Sequence, residues 1–450
     1  MRVLLVNPAS GSTFNSLGIV LPPLGLLYVA AAARESGFSV EVCDRMVDRR
    51  ALDLGRYAVV GIYCDTTRFF QAMELARQAK ACGARVVMGG PHPGFDAERI
   101  LASGNVDAIV RGEGERAFVE LLAAWRSNHP PSDIPGVVRM GGRGRMFDGG
   151  PAERIRDVDR LPLPARDLVD LQRYARTRLF GRPLASVHTS RGCPFQCRFC
   201  ASTRLDGAAW RARSSESVLI ELEQLVDTWN YRAVAFMDDN FTGSSERVHR
   251  ICDGILQRGW DLRWWCFCRV DTILRHPEMI AHMARAGATS IFVGIESPNS
   301  AVLDDSRKGI RAEQAREAVA LLKQHNIEIW ASYILGFPRE RRHHIRETTR
   351  FARQLDTHTA QFTILTPYPG TELWDELHDR LIETAGKGFD GVHAVFRHPA
   401  IPPFEMQLWH LWAYLSYYLR SKKSVRGFLR FLGNRMRGRR PAAAAIAGKA

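Results

Sequence analysis

Three cysteines lie within eight residues, Cys193-Pro-Phe-Gln-Cys197-Arg-Phe-Cys200. A C-x3-C-x2-C run offers three thiolates, the form of cysteine that binds metal. Structural zinc and ordinary four-cysteine clusters take four protein ligands. A cluster held by three thiolates keeps one iron open, and an open iron can bind and reduce a substrate. No fourth ligand stands at zinc spacing, so zinc is the weaker reading. Cys266 and Cys268 stand two apart on an expected strand and share one face, which makes them poor substitutes.

The run must be held by regular elements. Residues 185–191 read as a strand, so the cysteines follow on a loop at its carboxyl end, where α/β enzymes place their chemistry. Further strands are expected at 231–237, 263–270, 290–296, 328–335 and 359–366, with helices between them. Six βα units in sequence suit an open, partial (β/α)6 barrel. Upstream, strands are expected at 2–7, 39–44, 57–64, 85–88 and 107–111, alternating with helices in a flavodoxin-like (Rossmann-like) α/β sheet. The expected division is 1–130 for this first domain, 131–184 for a Pro/Gly-rich linker with a small hairpin or extended pieces, 185–370 for the barrel, and 371–450 for a mainly helical C-terminal region.

With 450 residues, 46% of them hydrophobic, the chain has the size of two or three domains and little room for disorder. The other cysteines are scattered, and Met1-Arg-Val-Leu-Leu-Val-Asn7 reads as a strand rather than a leader, so a reducing cytosol is expected. No stretch reaches the roughly 18 apolar residues of a membrane span. Most of the net charge of +14 lies near the end. After Glu405 no acid follows, while Arg420, Lys422, Lys423, Arg426, Arg430, Arg435, Arg437, Arg439, Arg440 and Lys449 do. Trp409, Trp412, Tyr414, Tyr417 and Tyr418 precede them on a helical stretch. Aromatics beside cations suit peripheral membrane contact. A covering helix with a solvated tail is the plainer reading, and nucleic acid ranks below both.

The triplet and its surroundings resemble the cluster motif of radical S-adenosylmethionine enzymes over roughly 185–370. Phe199 stands before the last cysteine, and Met237-Asp-Asp-Asn-Phe241, Arg269-Val-Asp271, Gly294-Ile-Glu-Ser297 and Leu335-Gly-Phe-Pro338 fall at successive strand ends. The resemblance implies a 4Fe-4S cluster on Cys193, Cys197 and Cys200 and S-adenosylmethionine at the open iron. An electron from a flavodoxin or ferredoxin would cleave it to a 5′-deoxyadenosyl radical. Asp238, Arg269 and Glu296 would hold polar groups of S-adenosylmethionine, with Gly294 permitting close approach. Capping or ion pairing is the alternative for each.

The first domain resembles the cobalamin-binding domain that precedes this core in one large subfamily. Asn7-Pro8, Pro22-Pro23-Leu24-Gly25, Gly89-Gly90-Pro91-His92-Pro93 and Gly112-Glu113-Gly114-Glu115 carry the likeness. The implied binding residues are Asn7, Gly89, Gly90, His92, Gly112 and Glu113. A flavodoxin-like domain with another ligand is the alternative. Many cobalamin domains carry an Asp-x-His-x-x-Gly loop after strand one, but residues 7–22 contain no histidine. Cobalamin is therefore expected base-off, with no protein histidine on cobalt and His92 at the corrin edge or nucleotide tail.

Together these features imply a cobalamin-dependent radical enzyme. Methyl transfer to an sp³ carbon of a small, lipophilic biosynthetic intermediate is the leading expectation. A cyclase or rearrangement enzyme similar to the anaerobic Mg-protoporphyrin ester cyclase is the runner-up, and a non-catalytic cobalamin carrier the third. A methylthiotransferase acting on RNA is disfavoured, because Cys43, Cys64 and Cys82 are too widely spaced to be its further cluster ligands. Tyr333, Thr363 and Tyr368 are expected on the substrate side.

Overall fold

The computed structural model describes residues 1–10, 19–129, 131, 134–141, 144–205, 207–383, 386 and 388–419. The cations from Arg420 onward lie outside the described residues, as do residues 11–18. Among the described residues, no helix is long and apolar enough to cross a membrane.

Short runs rich in Val, Ile and Leu build the first sheet. They are β1 (Arg2–Asn7), β2 (Ser39–Asp44), β3 (Val59–Tyr63), β4 (Arg85–Gly89) and β5 (Ala108–Val110). These five are parallel, in the order β2-β1-β3-β4-β5. Helices α1 (Leu24–Glu35), α2 (Phe69–Ala81), α3 (Ala97–Ala102) and α4 (Gly114–Arg126) accompany them. The sheet has an apolar core on each side, which is why its strands are apolar at nearly every position. Part of the expected linker extends this sheet. β6 (Val137–Met140) pairs antiparallel with β5, and β7 (Met146–Asp148) with β6. Strand order reverses around β1, so the carboxyl ends of β1 and β3 flank a topological switch point, the usual ligand crevice of such sheets.

The second sheet contains β8 (Arg178–Leu179), β9 (Arg182–Val187), β12 (Ala233–Phe236), β13 (Arg263–Cys268), β14 (Ala288–Glu296), β15 (Glu328–Leu335) and β16 (Thr359–Ile364). Between β9 and β12, β10 (Ser190–Arg191) and β11 (Arg211–Ala212) form a separate two-stranded ribbon. The order is β16-β15-β14-β13-β12-β9-β8, parallel except for β8, which makes an open half-barrel. Helices follow in turn: α5 (Ser215–Glu223), α6 (Ser245–Gln257), α7 (Val270–Arg275), α8 (Pro277–Arg285), α9 (Ser300–Asp305), α10 (Ala312–Gln324), α11 (Arg342–Leu355), α12 (Glu372–Leu377) and α13 (Pro403–Tyr418). Ser214 and Ser244 cap α5 and α6, each accepting a backbone N–H through its hydroxyl.

The two faces of the half-barrel differ by simple alternation. Trp264, Cys266, Cys268, Ile291, Val293, Ile329 and Ala331 are buried in the main core. Trp265, Phe267, Phe292 and Trp330 take the other face and form an aromatic ladder, with successive ring centroids 5.1, 5.0 and 5.5 Å apart. The open edge at β16 is covered by α13. Phe362 N–H donates to the Tyr414 hydroxyl at 3.2 Å, Ala360 N–H to that of Tyr418 at 3.1 Å, and His410 Nε2 lies 2.8 Å from Phe362 O. Side chains thus satisfy backbone groups that an edge strand leaves unpaired.

Candidate functional site

The cysteine loop is set up by the β10–β11 ribbon. Gly192 has φ 83°, and a Cβ there would overlap the Ala209 carbonyl and come within 2.8 Å of Gly207 O. Glycine alone makes this turn without strain. Cys193 N–H then donates to Gly207 O at 3.2 Å, and Cys200 N–H to Cys197 O at 3.1 Å. On the far side Arg198 N–H donates to Ser306 O at 3.1 Å, and Phe199 meets Phe337 edge-on at 5.9 Å. The three thiols are partly exposed. Burial raises the thiols of Cys193 and Cys200, and the neighbouring thiols add to the rise. Among the described residues, no three His, Cys, Asp or Glu side chains converge on a single-ion site. Tetrahedral zinc would need sulfurs about 3.8 Å apart.

Asp238 requires a correction. It is fully buried, and its carboxylate accepts from the N–H groups of Thr189 at 2.5 Å and Ser190 at 3.1 Å and from the Thr189 hydroxyl. It fixes the crossing from β9 to β10 and has no exposed surface to offer a ligand. Asp239 differs. It is open to solvent, yet surrounding protein raises its carboxyl, and its charge contributes to the raised thiols of Cys193 and Cys200.

Arg269, Gly294 and Glu296 come together. Glu296 sits at φ 65°, where the pairing of β14 with β15 slips past Gly294. A non-glycine residue held in this region at a strand end stores strain of the kind found at functional sites. Its carboxylate lies 2.7 Å from Lys308 Nζ, with both side chains nearly buried. A Cβ on Gly294 would come 2.7 Å from that Nζ, so the missing side chain makes room for the ion pair. Arg269 donates to Lys308 O at 2.8 Å and lies 3.5 Å over the Phe195 ring, inside the cysteine loop.

Of the substrate-side residues, Tyr333 is a second correction. It is fully buried and stacks on Phe362 at 5.3 Å, on the helix-covered side of the sheet. Thr363 is half-buried on the concave side, two positions along from Gln361. The Tyr368 hydroxyl donates to Phe389 O at 3.1 Å.

A cavity of about 650 Å³ opens at the carboxyl edge of the first sheet. Asn7, Gly89, Gly90, Gly112 and Glu113 line it, together with His188, Arg191 and Met237 from the second unit. It therefore lies between the two sheets, at the β1/β3 switch point. Gly90 has φ 114°, and a Cβ there would stand 2.6 Å from Cys64 O and 3.1 Å from the Tyr63 ring. Bare backbone below, aliphatic walls from Leu21, Pro22 and Leu24, and a few polar groups fit a broad corrin ring with a polar rim. Asn7 is oriented by donating to Asp44 at 2.8 Å, which also accepts from the Tyr174 hydroxyl at 2.8 Å.

His92 does not line the cavity. It is buried against Phe69 at 4.7 Å, with Nδ1 3.2 Å from the Thr66 hydroxyl and Nε2 without a hydrogen-bond partner. Burial lowers its pKa below that of a free imidazole. Among the described residues His188 is the one histidine lining the cavity, and it enters from β9's end, on the half-barrel side.

Several contributors were not named from sequence. Arg191, two residues before Cys193, pairs with Glu115 at 2.5 Å and approaches Glu113 at 3.6 Å. Its ribbon neighbour Arg211 pairs with Glu113 at 2.7 Å. The first unit is thereby clamped to the base of the cysteine loop. The Gly112-Glu-Gly-Glu115 run and the arginine before Gly192 were visible signals. Lys308 had none, because its partner depends on how the loop after α9 folds back.

A B12 binding domain family model matches residues 13–122, and the radical SAM superfamily model matches residues 187–352. An uncharacterised methyltransferase of Pyrococcus horikoshii is 33% identical over 441 residues, covering 95% of this chain and 94% of its own. The anaerobic magnesium-protoporphyrin IX monomethyl ester cyclase of Rubrivivax gelatinosus is 27% identical, over 85% of this chain and 71% of that one. A solved structure of the radical S-adenosylmethionine methyltransferase TsrM from Kitasatospora setae, with cobalamin and a 4Fe-4S cluster bound, is similar in fold. Its TM-score is 0.70 at 21% identity, covering 84% of this chain and 74% of that one.

Proposed function

The chain belongs to the radical S-adenosylmethionine enzymes that carry a B12-binding domain, and from that membership we propose that it transfers a methyl group to an unactivated carbon of a small molecule. The observation that carries the reading is the cavity at the switch point, whose far wall is supplied by the ribbon that leads into the cysteine loop. When bound, the cluster with S-adenosylmethionine supplies a hydrogen-abstracting radical, and the corrinoid supplies the methyl group.

The chain's own residues hold and orient. Cys193, Cys197 and Cys200 are the cluster ligands. Arg269, Gly294, Glu296 and Asp239 stand around the nucleotide side of that loop. Asn7, Gly89, Gly90, Gly112 and Glu113 form the corrinoid cradle. The absence of histidine from residues 7–22 and the retreat of His92 from the cavity support base-off binding. A flavodoxin or ferredoxin would deliver electrons. The aromatic ladder on the concave face supports an apolar substrate. The long match to a magnesium-protoporphyrin ester cyclase keeps cyclisation as the second reading.

The test is anaerobic reconstitution with iron, sulfide and hydroxocobalamin, followed by assay on a metabolite extract with methyl-deuterated S-adenosylmethionine. Methyl transfer predicts 5′-deoxyadenosine and a product heavier by a labelled methyl group. A product altered without label would favour cyclisation, and no 5′-deoxyadenosine at all would overturn the radical reading.

A further inference from the structure

Helix α13 is apolar on both sides. Met406, His410, Ala413 and Tyr417 are buried against the sheet and α11. The opposite face carries Phe404, Leu408, Leu411, Trp412, Leu415 and, just past the helix end, Leu419, between 38% and 73% exposed. Their spacing places them on one side of a helix. Gln407 is the one exposed polar residue of that side, and the helix's single charge, Glu405, is paired with Arg342 at 2.5 Å. A helix that merely covered an edge strand would turn charges to water. This one offers an uncharged aliphatic and tryptophan face beside an apolar groove of about 420 Å³.

The surroundings of that face are basic. Neighbouring α11 exposes Arg342, Arg346, Arg350 and Arg353 against one exposed acid, Glu347. Arg346 lies 5.2 Å over the Trp409 ring. Beyond Leu419 the sequence runs directly into Arg420, Lys422, Lys423, Arg426 and Arg430, with no acid to its end.

We propose that α13 is an interfacial docking helix that seats this enzyme on an anionic lipid bilayer. Its apolar face enters the headgroup boundary, and the arginines of α11 engage the lipid phosphates. An apolar strip flanked by cations matches the two layers of such a surface, acyl chain and phosphate. A second copy of this chain would oppose cations to cations. Among the described residues no helix, α13 included, is long and apolar enough to cross a membrane. The orientation turns the edge of the half-barrel toward the membrane, because α13 lies on β16.

The test uses the reconstituted full-length protein and sedimentation with sucrose-loaded vesicles, either of phosphatidylcholine alone or with about one third phosphatidylglycerol. Binding to the anionic vesicles is expected, at least about tenfold stronger than to neutral ones, and falling with salt. The double variant L411E/L415E should weaken it at least about tenfold while keeping the visible absorption of cluster and cobalamin, since both side chains face solvent. Brominated acyl chains should quench wild-type fluorescence more than that of Trp412→Phe. Equal sedimentation of the double variant, no preference for anionic vesicles, or a dimer that the double variant dissociates in the absence of lipid binding would each overturn the proposal.

Discussion

Each thiol of the cysteine loop has a distinct setting, and none has a spare. Cys197→Ala is expected to abolish visible cluster absorption and reduce 5′-deoxyadenosine formation to background, read by absorbance and by chromatography of the quenched reaction. A different kind of consequence attaches to Glu340, which is fully buried and accepts from Gly336 N–H at 2.7 Å and Phe337 N–H at 3.1 Å. Burial raises its carboxyl from the ordinary 4.5 to about 7. The folded state thus favours the protonated form. The associated stability is complete below the unfolded pKa and declines as pH rises through the folded one. Glu340→Gln keeps an acceptor for the two amides and cannot ionise. Thermal melts should show the wild type losing stability between about pH 4.5 and 7, by on the order of a few kcal/mol, and the variant losing much less. Choosing between Asp238 and Asp239 belongs to this scale as well. Both are acids at a strand end, and only the path of the chain decides which one points inward.

At the level of elements, the strands were legible because burial on both faces, or on one, leaves a periodic mark. The first sheet's five apolar runs and the half-barrel's six appear where periodicity places them. A small hairpin or extended pieces were expected in the Pro/Gly-rich stretch, but that β6 and β7 would extend the first sheet was hidden, since strands of four and three residues take their identity from the edge they join. Tyr333 was misplaced by chemistry overriding period: it alternates with Ser332 and Ile334, and its parity puts it under the helices. Gly90 is a case where an element's end depends on one residue. Gly90→Ala should cost about 1–3 kcal/mol, read by denaturation, and should lower the cobalamin retained after desalting. Lys308→Met leaves Glu296 buried and unpaired, at a cost of about 3–5 kcal/mol. The double change with Glu296→Leu should recover most of it in a mutant cycle.

For the whole molecule, the first unit and the half-barrel meet through Glu113, Glu115, Arg191 and Arg211, beside the cavity both units line. Cobalamin binding should therefore stabilise the entire chain against unfolding, by about 2.7 kcal/mol at a hundredfold excess over Kd, read as a higher melting temperature. Arg191→Met should split the calorimetric transition, leaving only the first part responsive to cobalamin. Arg191 also belongs to the ribbon from which the cysteines depart. One guanidinium thus acts as a spacer bar between the cavity wall and the thiol loop, and under the proposed methyl-transfer reading it would set the span between the two cofactors as a rigid strut instead of a tether. On the same reading, a change of substrate would fall on the concave wall around Ser332 and Thr363 and leave that span untouched.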